Sequence, residues 1–211
     1  MDTVVTSPFE RWFAQLSERL VPFVPRRVTP NQVTVAGFAV SIGGSLALYL
    51  AGQHQLWLLV AMAAILLHIL GDGVDGALAR ARRQTSPRGC FLDQMLDNIA
   101  FVAMPLAIAF SGLAALEILV FAMLLILLHA ILIQYWMILK GKRVFPAIGP
   151  VDYELLVLGS VALTFLWPGS VVSLGGIALG WFDLFFGIGA VLSAIDLGRS
   201  MRRLIAALDG A

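Results

Sequence analysis

Six long apolar stretches constrain the fold of this chain more than any other feature of its sequence. Turn and capping residues between them predict spans at about residues 31–51, 56–80, 87–110, 114–139, 151–167 and 177–197. A transmembrane helix needs about 17–25 apolar residues to cross a bilayer, and each stretch has that length. Only 13% of the 211 residues are charged, whereas a typical water-soluble domain has about 25%. We therefore predict an all-α integral membrane protein with six transmembrane helices.

The distribution of positive charge predicts the orientation of these helices. All fourteen Lys and Arg residues fall on one side of the six-helix layout, and the loops near 51–56, 111–114 and 168–177 contain none. Because loops rich in Lys and Arg stay in the cytosol, we expect both termini on the cytosolic side of a bacterial inner (cytoplasmic) membrane. We expect no secretory signal, since the first apolar run is short and follows an acidic residue. A single cysteine, Cys90, excludes an internal disulfide.

Residues 1–28 have a different pattern and are predicted to form an N-terminal segment ahead of a membrane domain at 29–211. Ser7, Pro8 and Glu10 have the layout of a capping box, with a hydroxyl cap, a proline at the first helical position and a glutamate three residues after the cap. One helical face then carries the apolar side chains Phe9, Trp12, Phe13, Leu16 and Leu20. This pattern predicts an amphipathic helix that lies in the membrane interface.

Four carboxylates lie at the facing ends of the second and third apolar stretches. Asp72 and Asp75 are three residues apart, Asp93 and Asp97 are four apart, and each pair shares one helical face. The loop between the two spans is short, so the helices must be antiparallel neighbours. Acids in a membrane segment are costly and repel one another unless a cation neutralises them. The four acids therefore predict a cytosol-facing site for two divalent cations, Mg²⁺ or Mn²⁺ with Ca²⁺ as a further candidate, which would clamp a phosphoryl or diphosphate group.

Small residues and one arginine accompany the first two acids. Gly71, Gly73, Gly76 and Ala79 leave little side-chain bulk on the second span. We interpret this as space for a flat or bulky ligand against the helix backbone. Arg80 lies on the same face as the acids and offers a planar cation for phosphate. The combination predicts a site for a metal-bound nucleotide diphosphate.

The same residues match a known signature at every specified position. The pattern D-x2-D-G-x2-A-R-x8-G-x3-D-x3-D runs from Asp72 to Asp97 and includes Gly89. The chain therefore resembles the CDP-alcohol phosphotransferases (phosphatidyltransferases), fully over this motif and more loosely over about residues 30–105. The sequence P-N-x-x-T at 30–34 also resembles the opening of that family's first span.

The resemblance implies that a CDP-linked lipid, CDP-diacylglycerol above all, donates its phosphatidyl-type group to a small polar alcohol and releases CMP. It implies metal binding by Asp72, Asp75, Asp93 and Asp97, and nucleotide or diphosphate binding by Asn31, Asp72, Gly76, Ala79, Arg80 and Gly89. Asp97 could instead be the base that deprotonates the alcohol, and we favour this role because it lies one turn deeper than Asp93. The expected partners are the CDP-lipid, the alcohol, the bilayer and, by resemblance, a second copy in a homodimer, with no nucleic acid.

The acceptor alcohol stays open among serine, glycerol-3-phosphate, inositol phosphate and choline. Subfamily positions do not decide it, and Asn98 stands where inositol-phosphate enzymes tend to have arginine. A phosphorylated acceptor would need a basic pocket, for which the candidates are Lys140, Lys142, Arg143 and Arg199. The positive-inside rule also explains these charges. Alternatively, Asp152 and Glu154 could hold an ammonium group, although acids are also common at a helix N-terminus.

Two other classes of membrane protein also use clustered acids. A membrane prenyltransferase has paired aspartate motifs, but such chains are longer and lack the G-x2-A-R pattern after the acids. A divalent-cation transporter should carry acids near the bilayer midplane and show an internal repeat. Neither feature is found in this sequence, so phosphatidyl transfer is the favoured hypothesis.

Overall fold

The computed structural model describes residues 2–4, 7–144, 147, 149–175 and 177–209. Seven α-helices dominate this part of the chain: α1 Pro8–Leu20, α2 Pro30–Ala51, α3 Trp57–Ala81, α4 Pro87–Phe110, α5 Leu116–Lys140, α6 Pro150–Leu166 and α7 Trp181–Asp209. A 3-10 turn, Val21–Phe23, follows α1. Two short strand pairs were not expected: β1 Asp2–Val4 pairs in parallel with β2 Lys142–Val144, and β3 Val172–Leu174 pairs antiparallel with β4 Ile177–Leu179. The prediction of an all-α membrane fold is confirmed.

Five of the described helices, α2, α3, α4, α5 and α7, are long and apolar enough to cross a membrane. Helix α6 has 17 residues, a length of about 25 Å at 1.5 Å per residue. Its end lies beside the α2–α3 turn, where the Gln55 side chain donates to the Phe165 carbonyl at 2.6 Å. Near its start, Glu154 contacts His68 of α3. Helix α6 thus runs along α3, and the count of six spans stays a prediction.

Local capping explains where several helices begin. Thr29 and Gln32 form the expected capping box at α2, since each side chain bonds the other residue's backbone. Ser86 caps α4 by accepting from the Gly89 amide at 3.0 Å. The last span differs from its prediction, because α7 begins at Trp181 and continues to Asp209. Residues predicted to follow the last span, such as Arg199, therefore lie on the helix.

Asp183 explains the late start of α7. Its carboxylate is buried and accepts from the Gly180 amide at 2.8 Å and from the Ala115 amide at 2.7 Å. These amides precede the first turns of α7 and α5, where backbone N–H groups lack helical partners. One side chain therefore joins the starts of two helices, a role that the sequence did not predict.

Helix α3 packs closely against α1, α2 and α6. A Cβ at Gly44 of α2 would lie only 2.9 Å from the Ala64 Cβ of α3. His68 of α3 is buried; its Nδ1 lies 3.2 Å from the Gly37 carbonyl of α2, and its Nε2 lies 3.1 Å from Glu154 of α6. His68 thus links three helices, as expected for a buried polar group in a membrane bundle.

Part of the apolar face of α1 packs against the rest of the protein, and part of it is exposed. Phe13 packs against the core and Ser17 is fully buried, whereas Phe9 and Trp12 are 55% and 57% exposed. Ser7 also donates to the Asp152 carboxylate at 2.9 Å, so α1 contacts both α3 and α6. The helix is amphipathic and docked, and its position in the membrane interface stays a prediction.

Candidate active site

Three of the four motif acids form a compact cluster. Asp72 and Asp75 on α3 and Asp93 on α4 place carboxylate oxygens within 4.8 Å of one another. The i, i+3 spacing turns the first two toward α4. Helices α3 and α4 both pack against α2 and not against each other, so the prediction that they are packed neighbours was wrong. Asp75 is 5% exposed and the other two are partly exposed. An all-oxygen donor set of this kind fits a hard divalent cation. Asp97, one turn further along α4, is not a member of the cluster.

Thr34 orients the most buried acid of the cluster. Its hydroxyl donates to the Asp75 carboxylate at 2.5 Å and lies 3.2 Å from the Pro30 carbonyl of its own helix. Helix α2 thereby fixes one Asp75 oxygen. The prediction of site residues did not include Thr34, although the P-N-x-x-T sequence at 30–34 contained the signal.

A cavity opens beside the acid cluster between α2, α3, α4 and the α3–α4 loop. The predicted nucleotide residues that line it are Asn31, Gly76, Ala79, Arg80 and Gly89, together with Asp75 and Asp93. Further lining residues were not predicted: Pro30, Thr34, Gln84, Thr85, Ser86 and Cys90. The structure therefore gathers the small residues, the arginine and two of the acids around one space.

Two motif glycines lie against other side chains of this cavity. A Cβ at Gly76 would lie 3.4 Å from the Nη1 atom of Arg80, an ordinary contact with the end of a flexible side chain, so the Arg80 guanidinium lies over Gly76. A Cβ at Gly89 would lie 3.1 Å from Asn31 Oδ1 and 3.2 Å from Ser86 Oγ. Glycine at 89 therefore permits the close approach of α4 and α2 that brings Asn31 to the cavity.

The other two glycines do not provide space for a ligand, so that interpretation was wrong for them. A Cβ at Gly71 would meet the Gly37 Cα of α2 at 3.7 Å, and a Cβ at Gly73 would meet the Ser17 hydroxyl of α1 at 2.1 Å. Neither glycine lines the cavity. Both face neighbouring helices, because the ligand-facing side of α3 continues only through Gly76 and Ala79.

Three of the four candidate acceptor residues are absent from the lining of this cavity. Among the described side chains, Lys140, Lys142 and Arg199 do not line it, and the Arg143 side chain lies outside the described part. The alternative acids have protein partners: Glu154 pairs with His68, and Asp152 accepts from the Gly149 amide at 2.7 Å. Acceptor binding by any of these residues stays a prediction.

An apolar groove adjoins the cavity between α4 and α5. It has a volume of about 650 Å³, and its lining includes Phe91, Met95, Met137 and Ile138. The groove and the cavity share Thr85, Ser86 and Cys90. The two spaces therefore lie side by side, as a molecule with a polar head and an apolar tail would require.

Comparison with known families agrees with this geometry. The family model described as CDP-alcohol phosphatidyltransferase matches residues 27–189, which include every helix that contributes to the cavity. The chain belongs to this family. Membership favours phosphatidyl transfer over the prenyltransferase and transporter hypotheses, because the matched region contains the acid cluster.

Individual relatives of this CDP-alcohol phosphatidyltransferase match over part of their length. An archaetidylinositol phosphate synthase of Pyrococcus horikoshii is 35% identical over 91 residues, covering 43% of this chain and 46% of the relative. The inner membrane protein YnjF of Escherichia coli is 44% identical over 78 residues, covering 37% and 35%. The chain thus spans less than half the length of these curated relatives.

Solved structures support the fold over nearly the whole chain. The phosphatidylinositol phosphate synthase PgsA1 of Mycobacterium tuberculosis with CDP-DAG bound has a TM-score of 0.66 at 18% identity, covering 91% of this chain and 92% of that one. The same protein in complex with manganese and citrate also gives 0.66, at 19% identity over 90% and 87%. At such low identity the likeness establishes the fold.

Proposed function

We propose that the chain transfers a phosphatidyl group from CDP-diacylglycerol to an inositol phosphate and releases CMP. The observation that carries this proposal is that two acids of the three-carboxylate cluster, Asp75 and Asp93, line the same cavity as Asn31, Gly76 and Arg80. Such a site combines metal ligands with groups suited to a nucleotide diphosphate. Family membership gives the same reaction class.

The acid cluster is proposed to hold divalent metal, Mg²⁺ or Mn²⁺, at Asp72, Asp75 and Asp93. The donor set fits, since three carboxylates converge within 4.8 Å and such cations prefer oxygen ligands. Divalent metal would neutralise the charge of the diphosphate and of the departing CMP. Thr34 keeps Asp75 oriented for this task through its hydrogen bond.

Other side chains are proposed to bind the donor and move the proton. Arg80 contacts the diphosphate, Asn31 contacts the nucleotide, and the cytidine lies over Gly76 and Ala79. Asp97 takes the proton from the acceptor hydroxyl while that oxygen attacks the lipid-bearing phosphorus. The phosphorus–oxygen bond to CMP then breaks, and CMP leaves with the electron pair.

The lipid part of the donor is proposed to lie in the groove between α4 and α5. The groove is mainly apolar and adjoins the cavity, with Thr85, Ser86 and Cys90 in the lining of both. Phe91 and Ile138 are exposed on it, where they would contact acyl chains. Nucleotide and acceptor would approach from the cytosol, because the cavity lies at the end of the bundle that carries the basic residues.

An inositol phosphate is proposed as acceptor because two of the compared proteins carry that chemistry in their names. One is an archaetidylinositol phosphate synthase and the other a phosphatidylinositol phosphate synthase. Lys142 on β2 and Arg199 on α7 are exposed cations that would attract a phosphorylated acceptor.

The test uses purified protein in detergent micelles with radiolabelled CDP-diacylglycerol and Mn²⁺ or Mg²⁺. Parallel reactions offer inositol phosphate, glycerol-3-phosphate, serine, choline, ethanolamine or free inositol. We expect CMP release and a new labelled lipid with inositol phosphate only, and loss of both on addition of EDTA. CMP release with another alcohol would identify that alcohol as the acceptor in place of inositol phosphate. Turnover in EDTA would contradict the role of the acid cluster in metal binding.

A further inference from the structure

Helix α1 is docked on the helix turn that carries the first two acids. Ser17 is fully buried, and its hydroxyl donates to the Phe13 carbonyl of the same helix at 2.8 Å. Opposite it lies Gly73 of α3, which falls between Asp72 and Asp75 in the sequence. The N-terminal helix therefore contacts the backbone of the acid cluster directly.

This contact has no space for an additional atom. A Cβ at Gly73 would lie 2.1 Å from Ser17 Oγ and 3.1 Å from Ser17 Cβ. Rotating the hydroxyl away would break its bond to Phe13 in a buried environment, and the close Cβ contact would remain. Since helix interfaces are tightly packed, an added methyl group must displace either α1 or the acid-bearing turn of α3.

A second contact holds the same segment on α3. Arg82, directly after α3, donates to the carbonyl oxygens of Val24, Pro25 and Val28 at 2.9, 3.2 and 2.5 Å. These carbonyls belong to the linker between α1 and α2. In the sequence, Arg82 was only one of the fourteen Lys and Arg residues predicted on one side of the membrane. The N-terminal segment thus contacts α3 at Gly73, within the first half of the motif, and contacts Arg82 directly after that helix.

We propose that α1 is a positioning element of the active site, and that the packing of Ser17 on Gly73 holds Asp72 and Asp75 in the arrangement that binds divalent metal. The inference rests on the proposed function where CMP release is measured. It rests on the geometry alone where Mn²⁺ affinity is measured. Ser17 and Gly73 touch neither substrate nor metal in this role. They act by fixing the helix turn from which the two acids project.

The test is a graded series of variants at this contact. Gly73→Ala should lower both Mn²⁺ affinity and CMP release by about tenfold, because small displacements of ligating groups have large effects. Adding Ser17→Ala removes the atom at 2.1 Å and should restore part of both values. Adding Ser17→Gly instead removes both opposing atoms and should restore most. Mn²⁺ affinity is measured by electron paramagnetic resonance of the free ion.

Gly71→Ala is the matched control on the same helix. Its Cβ would meet only the Gly37 Cα at 3.7 Å, an ordinary contact, so Mn²⁺ affinity should stay at the wild-type value. The order in which the double variants recover Mn²⁺ affinity separates this inference from a general loss of folding. Ser17→Gly by itself weakens a helix, so it would lower the stability of a protein that is already unstable and would restore nothing. If Gly73→Ala alone is too unstable to assay, the two double variants must still rank in the same order.

Two results would overturn the positioning role. One is wild-type Mn²⁺ affinity in Gly73→Ala, and the other is a Gly73→Ala, Ser17→Gly variant that binds Mn²⁺ no better than Gly73→Ala. Failure of the proposed function would look different. The wild type would then bind Mn²⁺ but release no CMP from CDP-diacylglycerol, and the Mn²⁺ series would still decide the role of α1.

Discussion

At the scale of single residues, Asp97 carries the most specific chemical prediction. It lies on the helix face of Asp93 but outside the three-carboxylate cluster, as a base for the acceptor should. Asp97→Asn removes the proton acceptor, so CMP release should fall at least about a hundredfold. Binding of CDP-diacylglycerol, measured by calorimetry in micelles, should be nearly unchanged. Near-normal turnover in this variant would assign the proton to another group.

Arg80 is predicted to serve the donor through its position over Gly76 in the cavity. Arg80→Ala removes a charged hydrogen-bond donor worth about 1.5–3 kcal/mol, so the KM for the CDP-lipid should rise at least about tenfold. Arg88→Ala is the control, because Arg88 is an exposed arginine of the same region that does not line the cavity. Equal effects of the two substitutions would indicate a general charge effect in place of a binding contact.

At the scale of helices, the starts of α5 and α7 depend on one buried carboxylate. Asp183→Ala leaves the Gly180 and Ala115 amides without their acceptor, which should lower the free energy of unfolding by on the order of 2 kcal/mol. Thermal unfolding in micelles measures this loss, and CMP release at low temperature should persist because Asp183 lies far from the acid cluster. Asp209→Ala, at the exposed end of α7, should leave the melting temperature unchanged.

The groove between α4 and α5 gives a second prediction at this scale. Met95→Trp would fill the groove, so the KM for long-chain CDP-diacylglycerol should rise several-fold while the affinity for CMP stays constant. Ile195→Trp, an exposed apolar position on α7, is the control for adding a tryptophan to the surface. An unchanged KM in Met95→Trp would place the acyl chains elsewhere.

At the scale of the whole molecule, the membrane orientation and the sixth span can be tested together. In a Cys90→Ser background, Gln53→Cys and Ser170→Cys should react with an impermeant maleimide added to intact spheroplasts. The wild-type Cys90, beside the cavity, should react only after the membrane is opened. Gln53→Cys and Ser170→Cys should react alike because α6 lies along α3, with Phe165 beside Gln55. The α2–α3 turn and the segment after α6 therefore lie on the same side of the membrane. A protected Ser170→Cys would mean that α6 does not cross.

The sequence alone determined the features that depend on residues close together in the chain. Helix starts at Pro30 and Pro87 follow from caps one turn long, and apolar stretches of bilayer length predict the membrane fold. The pairing of acids on single helix faces follows from the helical period. The spacing of the motif identified four acids, Asp72, Asp75, Asp93 and Asp97, of which the structure gathers the first three within 4.8 Å.

Only the tertiary structure decided which neighbour each of these residues meets. Thr34 and Asp75 are 41 positions apart, Arg82 and Val28 are 54 apart, and Asp183 and Ala115 are 68 apart. No local rule predicts such contacts, because they depend on how separate helices pack. The same limit explains Gly73, whose small size is explained by Ser17 of α1, a residue on another helix, and not by a ligand.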